Sequence, residues 1–375
     1  MNTRETTPIW QQPALGGFPD PAGIGLSGMD RIRAGREGRI PIAPISYLME
    51  MSFTDASEGH TGFTIPASPW FANSAGVIPG GVLAVLADAP LGASIHTTVP
   101  PGVGFTTAEI SLTMLRPVRP DPEGLISGGG QVIHVGRSVA LSEAFLLTEP
   151  GGDLVAHATS RCSIFPPLDP VPEPPREAPV IEQPLPGSSP QHPLRRPLEG
   201  GALPQETFER LSGLELIRAQ LAGELEPAPP LFHLLGIRPT AAGEGSTEFV
   251  LPCSPWLAQS MGNVQGGFMA LLADLAMTAA AFTTAEAGTA VAPLDFKVNL
   301  LRPVQPDMRD LTARAEVVHR GRTLAITSCR IENADGKPVA LATGTSMYLP
   351  GRPASLAGVE QFGSDPSDPE DETGA

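Results

Sequence analysis

A chain of 375 residues suits two domains, and its formal net charge of −16 is the wrong sign for a nucleic-acid binder, which needs a basic face. It is 41% hydrophobic but only 5% aromatic, so its cores must be built mainly from Ala, Val, Leu and Ile. Its three cysteines, Cys162, Cys253 and Cys329, have neither metal-type nor disulfide-framework spacing and read as buried, reduced thiols.

Residues 1–51 read as an N-terminal extension. The opening "MNTRETTPIWQQP" lacks the apolar core of a signal peptide, so the chain is expected to be cytoplasmic. A short helical stretch, "DRIRAGREGRIPIAPISYLM", follows. The first module spans 52–166, in the order strand, loop, long helix and several strands. Its helix, "GGVLAVLADAPLGAS", carries one acid, Asp88, and Pro90 is expected to kink or end it. Beyond it, "EISLTML" alternates with Ile110, Leu112 and Met114 on one face, and "GLISGGGQVIHVGRSVALSEAFLLT" reads as two strands around a Gly-Arg turn. Residues 167–202 are a proline-dense, extended linker. Residues 203–230 carry a helix, with Phe208, Leu211, Leu214 and Ile217 at helical spacing. The second module spans 231–350, and its helix, "GGFMALLADLAMTAAAF", carries Asp274. This apolar run nearly reaches membrane-spanning length, but the central acid and the lack of a basic flank make it a buried helix, with no membrane partner expected. Residues 351–375 end in "SDPSDPEDETGA", an acidic tail that reads as disordered.

The two modules are copies. Shifted by 186 residues, "IPASPWFANSAGVIPGGVLAVLAD" falls on "LPCSPWLAQSMGNVQGGFMALLAD" without a gap, and "LRPVRPD" on "LRPVQPD". A helix apolar nearly all round must be covered on most sides, and a curved antiparallel sheet wrapping it does so. The acid within each helix lies too deep for capping. A carboxylate among Ala and Leu is costly unless partnered, and burial should raise its pKa into the range useful for taking a proton or attacking a carbonyl. Glycine pairs opening each helix leave backbone N–H donors free at its tip, where the dipole favours negative charge.

The paired Gly-Gly, the acid eight residues after the first glycine, and the "LRPV" strand end, twice in order, resemble the hotdog-fold acyl-CoA thioesterases, specifically their phenylacetate-type branch. The resemblance implies an α+β fold of two hotdog modules paired as an intrachain pseudo-dimer, with further homo-oligomers open. It implies two sites, each combining one module's helix tip with the other's acid. Site A would join Asn73 and Gly80 to Asp274, and site B Gln259 and Gly266 to Asp88. Gly80 or Gly266 N–H would bind the oxyanion. Gly81 and Gly267 would stand near the substrate, or serve only close packing. Gln265 precedes the second Gly-Gly, where the family often has His, and Pro79 holds that place in the first copy. Thr278 matches a family hydroxyl one turn past the acid, and Thr107, on the strand, would serve site B. Arg137 and Arg322, with Arg116, Arg302 and Arg320, are candidates for the nucleotide end of coenzyme A. The implied activity is hydrolysis of an acyl-CoA thioester, with coenzyme A part of the substrate and no metal or other cofactor. The alternative is a double hotdog that binds an acyl-CoA or aromatic ligand without turnover. Site A is favoured as the working site because Pro90 puts the aim of Asp88 in doubt and Asp274 has the cleaner helix, with two working sites left open.

Overall fold

The computed structural model describes residues 7–174 and 179–356, and its strands follow the period-two alternation while its two long helices are apolar nearly all round. The first module begins with a hairpin, β1 (Ser52–Ser57) and β2 (His60–Pro66). The sequence suggested a single strand there. The extra one, "SFTDAS", is polar and exposed because it forms the sheet edge.

Earlier come two short helices of the extension, α1 (Gly28–Arg36) and α2 (Pro44–Leu48). The long helix α3 (Gly80–His96) is followed by β3 (Phe105–Met114), β4 (Leu125–Val135), β5 (Val139–Glu149) and β6 (Asp153–Ile164). The expected single helix of residues 203–230 is two, α4 (Gln205–Arg210) and α5 (Gly213–Leu221), and α6 (Pro230–Leu235) leads into the second module. The break falls at Ser212, which caps α5 in a reciprocal box with Glu215. The second module repeats the first as β7 (Arg238–Gly243), β8 (Ser246–Pro252), α7 (Gly266–Phe282), β9 (Thr289–Leu300), β10 (Asp310–Arg320), β11 (Leu324–Glu332) and β12 (Pro338–Pro350).

All twelve strands join one sheet, ordered β1-β2-β4-β5-β6-β3-β9-β12-β11-β10-β8-β7. Its seam is the antiparallel pair β3–β9, where Ser111 faces Lys297, its own counterpart in the repeat. The pseudo-two-fold axis therefore passes between those two residues. Beside the seam, Glu109 is buried and receives Lys297 Nζ at 3.0 Å together with Arg161, so its charge is compensated from both modules.

The sheet curves around α3 and α7, which lie antiparallel against each other. Glycine makes that approach feasible. A Cβ on Gly81 would stand 2.4 Å from Leu271 Cα, and one on Gly267 2.6 Å from Val85 Cα. The helices are thus sheathed by the sheet outside and by each other inside, as their near-uniform apolarity requires.

Three expectations need correction. Pro90 does not end α3, which runs on to His96. The lost ladder bond is one among many in a helix held on all sides, and the Pro90 carbonyl accepts from Thr61 Oγ1 at 3.1 Å. Nor is the region after 350 wholly without structure. Ala354 N and Ser355 N donate to Gln205 Oε1, and Leu356 N donates to the Ala75 carbonyl, so the segment up to Leu356 is strapped against α4 and the first module. The acidic run from 364 lies outside the described residues. The described part of the linker is not extended throughout, since it turns at 186–191 and makes a 3-10 helix at Pro193–Arg195, and it lies along the N-terminal extension, where Gln183 accepts from Ile42 N, Tyr47 donates to the Pro184 carbonyl and Arg195 pairs with Glu50.

Candidate active site

Antiparallel packing of α3 on α7 sets each acid beside the tip of the opposite helix. Asp274 Oδ2 accepts from Gly81 N at 2.7 Å, and Asp88 Oδ2 accepts from Gly267 N at 3.1 Å. Both carboxylates are buried, at 3% and 7% exposure. Burial pushes each up to about 6, against the opposing pull of the helix-tip N–H groups and a threonine hydroxyl. The hydroxyl comes from different elements in the two sites. Thr278 Oγ1, one turn along α7, donates to Asp274 Oδ1 at 3.3 Å, whereas Thr107 Oγ1, on β3, donates to Asp88 Oδ1 at 3.4 Å.

Thus the structure brings together Asp274, Gly80, Gly81 and Thr278 at one junction, and Asp88, Gly266, Gly267 and Thr107 at the other. Pro90 leaves the aim of Asp88 intact, so the sequence-based reason to favour site A falls away.

The glycine pairs divide their work in a way the spacing does not reveal. Gly81 and Gly267 are the close-packing residues, and their N–H groups are also taken by the acids, so they are not open donors for a ligand. Gly80 and Gly266, first residues of their helices, have no intrahelical acceptor for their N–H. A Cβ on Gly80 would meet Met114 Sδ at 2.2 Å, and one on Gly266 would meet Leu300 Cδ1 at 2.6 Å. Both are far ends of flexible side chains that could yield to a Cβ, so packing alone does not require glycine at either tip.

The remaining expected residues stand further from the acids. Asn73 Oδ1 accepts from Ala75 N and Val77 N, and Gln259 Oε1 accepts from Met261 N. Both amide oxygens brace the loop before the helix, which leaves the NH2 end of each side chain as the group able to meet a ligand. Gln265 is buried at the tip of α7, and its Oε1 has no hydrogen-bond partner among the described residues. Arg116, Arg302 and Arg320 donate to the backbone carbonyls of Leu154, Pro338 and Thr284. Arg137 and Arg322 are exposed on the β4–β5 and β10–β11 turns and are not drawn into either acid's network.

A pocket of about 140 Å³ opens beside site A, reaching its Asn73 and Thr278 but not Asp274 or the glycine tip, and is walled by Leu216, Leu275, Phe282 and Phe232 among others. Its wall is therefore shared by both modules and by α5, whose Gln220 donates to Ser74 Oγ at 2.8 Å. That contribution of α5 was not foreseen, because nothing in an isolated amphipathic helix says which cleft it covers. Among the described residues no group of His, Cys, Asp and Glu is placed to hold a metal, and no helix is long and apolar enough to cross a membrane.

Two antiparallel helices inside one wrapped twelve-stranded sheet, with an acid of each at the tip of the other, define a double hotdog. A family model described as "Thioesterase superfamily" matches the chain twice, over residues 75–155 and 261–340. The chain belongs to the thioesterase superfamily. A tesB protein of Mycobacterium avium subsp. paratuberculosis is similar in structure, with a TM-score of 0.51 and 14% identity over 82% of this chain and 98% of its own. A thioesterase family protein of Silicibacter pomeroyi is 32% identical over 36% of this chain and 96% of its own, with a TM-score of 0.32. A phenylacetic acid degradation-related protein of Ralstonia eutropha is 30% identical over 35% of this chain and 98% of its own, with a TM-score of 0.32. No curated protein matches the chain.

Proposed function

We propose that the chain hydrolyses acyl-CoA thioesters at two sites between its modules, in the manner of the phenylacetate-type branch that its motifs resemble. The observation that carries this reading is the buried carboxylate held at the opposite helix tip, with Asp274 Oδ2 2.7 Å from Gly81 N. The second N–H of the tip anchors the acid, so at site A the first, on Gly80, is left to polarise the thioester carbonyl, whereas at site B the Gly266 N–H also bears on Asp88 and would be shared with the substrate. Such a donor is worth about 2.7–4 kcal/mol at the transition state.

The acid oxygen that faces threonine, Oδ1, is poised between that hydroxyl and the reacting carbon. Ionised, the carboxylate attacks the carbonyl carbon, or takes a proton from the water that does. In either course the C–S bond breaks, the electron pair leaves on the sulfur of coenzyme A, and one water is consumed per acid released. The Asn73 and Gln259 amides would steady the carbonyl or the water, and Gln265 adds an amide donor at site B that Pro79 cannot supply at site A. Arg137 and Arg322 are suited to meet the phosphates of coenzyme A, since a chain of net charge −16 needs local cations to hold that anion. The step needs no metal.

The test is Asp88→Asn and Asp274→Asn, singly and together, assayed by thiol release across a panel of acyl-CoAs. Each single variant should keep the activity of one site, and the double variant should fall about 10²–10⁴-fold. Full hydrolysis by the double variant would remove the acids from the mechanism.

A further inference from the structure

The repeat extends further upstream than the modules themselves, and it is there that the two sites part company. Ser27–Ala34 ("SGMDRIRA") superposes on Ser212–Ala219 ("SGLELIRA") at an offset of 185. The structure fixes the same register independently. Ser27 caps α1 through Asp30 N as Ser212 caps α5 through Glu215 N. Gly28 N donates to the Val99 carbonyl as Gly213 N donates to that of Ala285, and each glycine abuts the last carbonyl of the neighbouring long helix, His96 or Phe282.

Therefore α1 stands to site B as α5 stands to site A. Two of the apolar walls of the site A pocket, Leu216 and Phe282, are replaced at site B by Arg31 and His96. A third, Val291, is replaced by Phe105, whose ring meets His96 edge-on at 5.9 Å.

Arg31 Nε and Nη2 and His96 Nε2 are all buried without a hydrogen-bond partner among the described residues. Nor does any described acid form an ion pair with Arg31, because Asp30 pairs instead with Arg33 on the solvent side. Buried polar groups are as a rule satisfied, and although Arg31 as a whole is only half-buried, these two enclosed guanidinium donors are a costly exception. Burial depresses Arg31, and burial and then the nearby guanidinium push His96 down to about 3, so His96 is neutral and supplies a hydrogen bond rather than a second charge. Nε and Nη2 form one edge of the guanidinium, the edge that grips a carboxylate side-on with two parallel bonds. His96 lies eight residues beyond Asp88 on α3, about 12 Å along the axis at 1.5 Å per residue, so this anion seat lies at the far end of an acyl chain whose thioester sits at the acid.

We propose that site B takes ω-carboxyacyl thioesters, their distal carboxylate seated on the Nε/Nη2 edge of Arg31 beside His96, while site A takes neutral acyl groups. This assignment rests on the thioesterase reading and deepens it.

The test uses the full chain with one site silenced at a time. In Asp274→Asn, which leaves site B, adipyl-CoA should exceed hexanoyl-CoA in kcat/KM, and in Asp88→Asn the order should reverse. Arg31→Leu, which copies Leu216, should lower site B's kcat/KM for adipyl-CoA at least about tenfold, the loss expected for a charged hydrogen-bonded pair, mostly through KM, while raising or sparing hexanoyl-CoA. Arg31→Lys should fall between, keeping the charge but losing the fork. Unaltered hexanoyl-CoA turnover at site A in Arg31→Leu certifies the fold. An adipyl-to-hexanoyl ratio unmoved by Arg31→Leu would overturn the assignment. Should the wild type hydrolyse no thioester, the hydrolase reading fails by itself, and the anion seat is still tested by free adipate. Adipate should raise the melting temperature of wild type but not of Arg31→Leu, and equal behaviour of the two would overturn it.

Discussion

Asp88 and Asp274 are burdens on the fold as well as the centre of its proposed chemistry. In the unfolded chain each ionises near the ordinary value of 3.8, whereas in the folded protein burial holds the proton until about 6. Between those values the unfolded state binds fewer protons than the native state, so stability falls as pH rises through the window and is level above it. The loss is about 3 kcal/mol for each acid, taking 1.36 kcal/mol per pKa unit. Asp274→Asn should therefore be more stable than wild type at pH 8 by up to about that amount, and no more stable near pH 3.5, where both forms are neutral. Activity should run the other way. It needs the ionised acid, so kcat/KM should climb through about pH 6, a limb that each Asp→Asn change removes for its own site. Denaturant melts at the two pH values and a pH–rate profile would check both halves. The acids themselves were legible in the sequence because they recur in an apolar context at one spacing. Which N–H they occupy was not, since Gly80 and Gly81 differ only once the offset between two packed helices is known.

Elements add what single residues cannot, namely how close the helices come. Gly81 and Gly92 sit on one helix and look equivalent in sequence, yet a Cβ at Gly81 would collide with Leu271 Cα, and one at Gly92 would meet nothing within 4 Å. Gly81→Ala must force α3 and α7 apart or bend them, which should cost about 1–3 kcal/mol and pull Asp274 off its donor. Gly92→Ala should instead be neutral or stabilising by up to about 1 kcal/mol, through helix propensity. Urea unfolding of the two variants, with site A turnover measured in each, would separate packing from propensity. The same scale explains the misreadings. Pro90 predicts a break by local rules, but a helix enclosed on all sides tolerates one missing ladder bond. β1 is too polar to announce itself, because an edge strand has one neighbour and little to bury. The split of α4 from α5 was written in the Ser212–Glu215 capping box, which the continuous apolar spacing masked.

At the scale of the molecule, the proposed difference between the two sites is one that a symmetric pair of identical chains could not reach. Two identical modules related by an axis through Ser111 and Lys297 would be bound to carry identical sites. Joined in one chain they can differ, as Leu216 and Arg31 do. The linker keeps the differing modules in one chain, but the contacts between the halves lie elsewhere. The β3–β9 ladder, the α3–α7 contact and the Glu109–Lys297 pair all cross the boundary between modules, and none involves the linker. Apolar surface buried between the helices would be exposed by separation at about 25 cal/mol per Å², and both β3 and β9 would become bare edges. A protease site inserted at Gly187–Ser189, in the turn of the linker, should therefore cut without releasing either half. The nicked protein should elute with the intact one on gel filtration and keep turnover at both sites, and only denaturant should separate the fragments. Elution of two half-size species on cutting, with loss of both activities, would mean that the tether and not the seam maintains the pseudo-dimer.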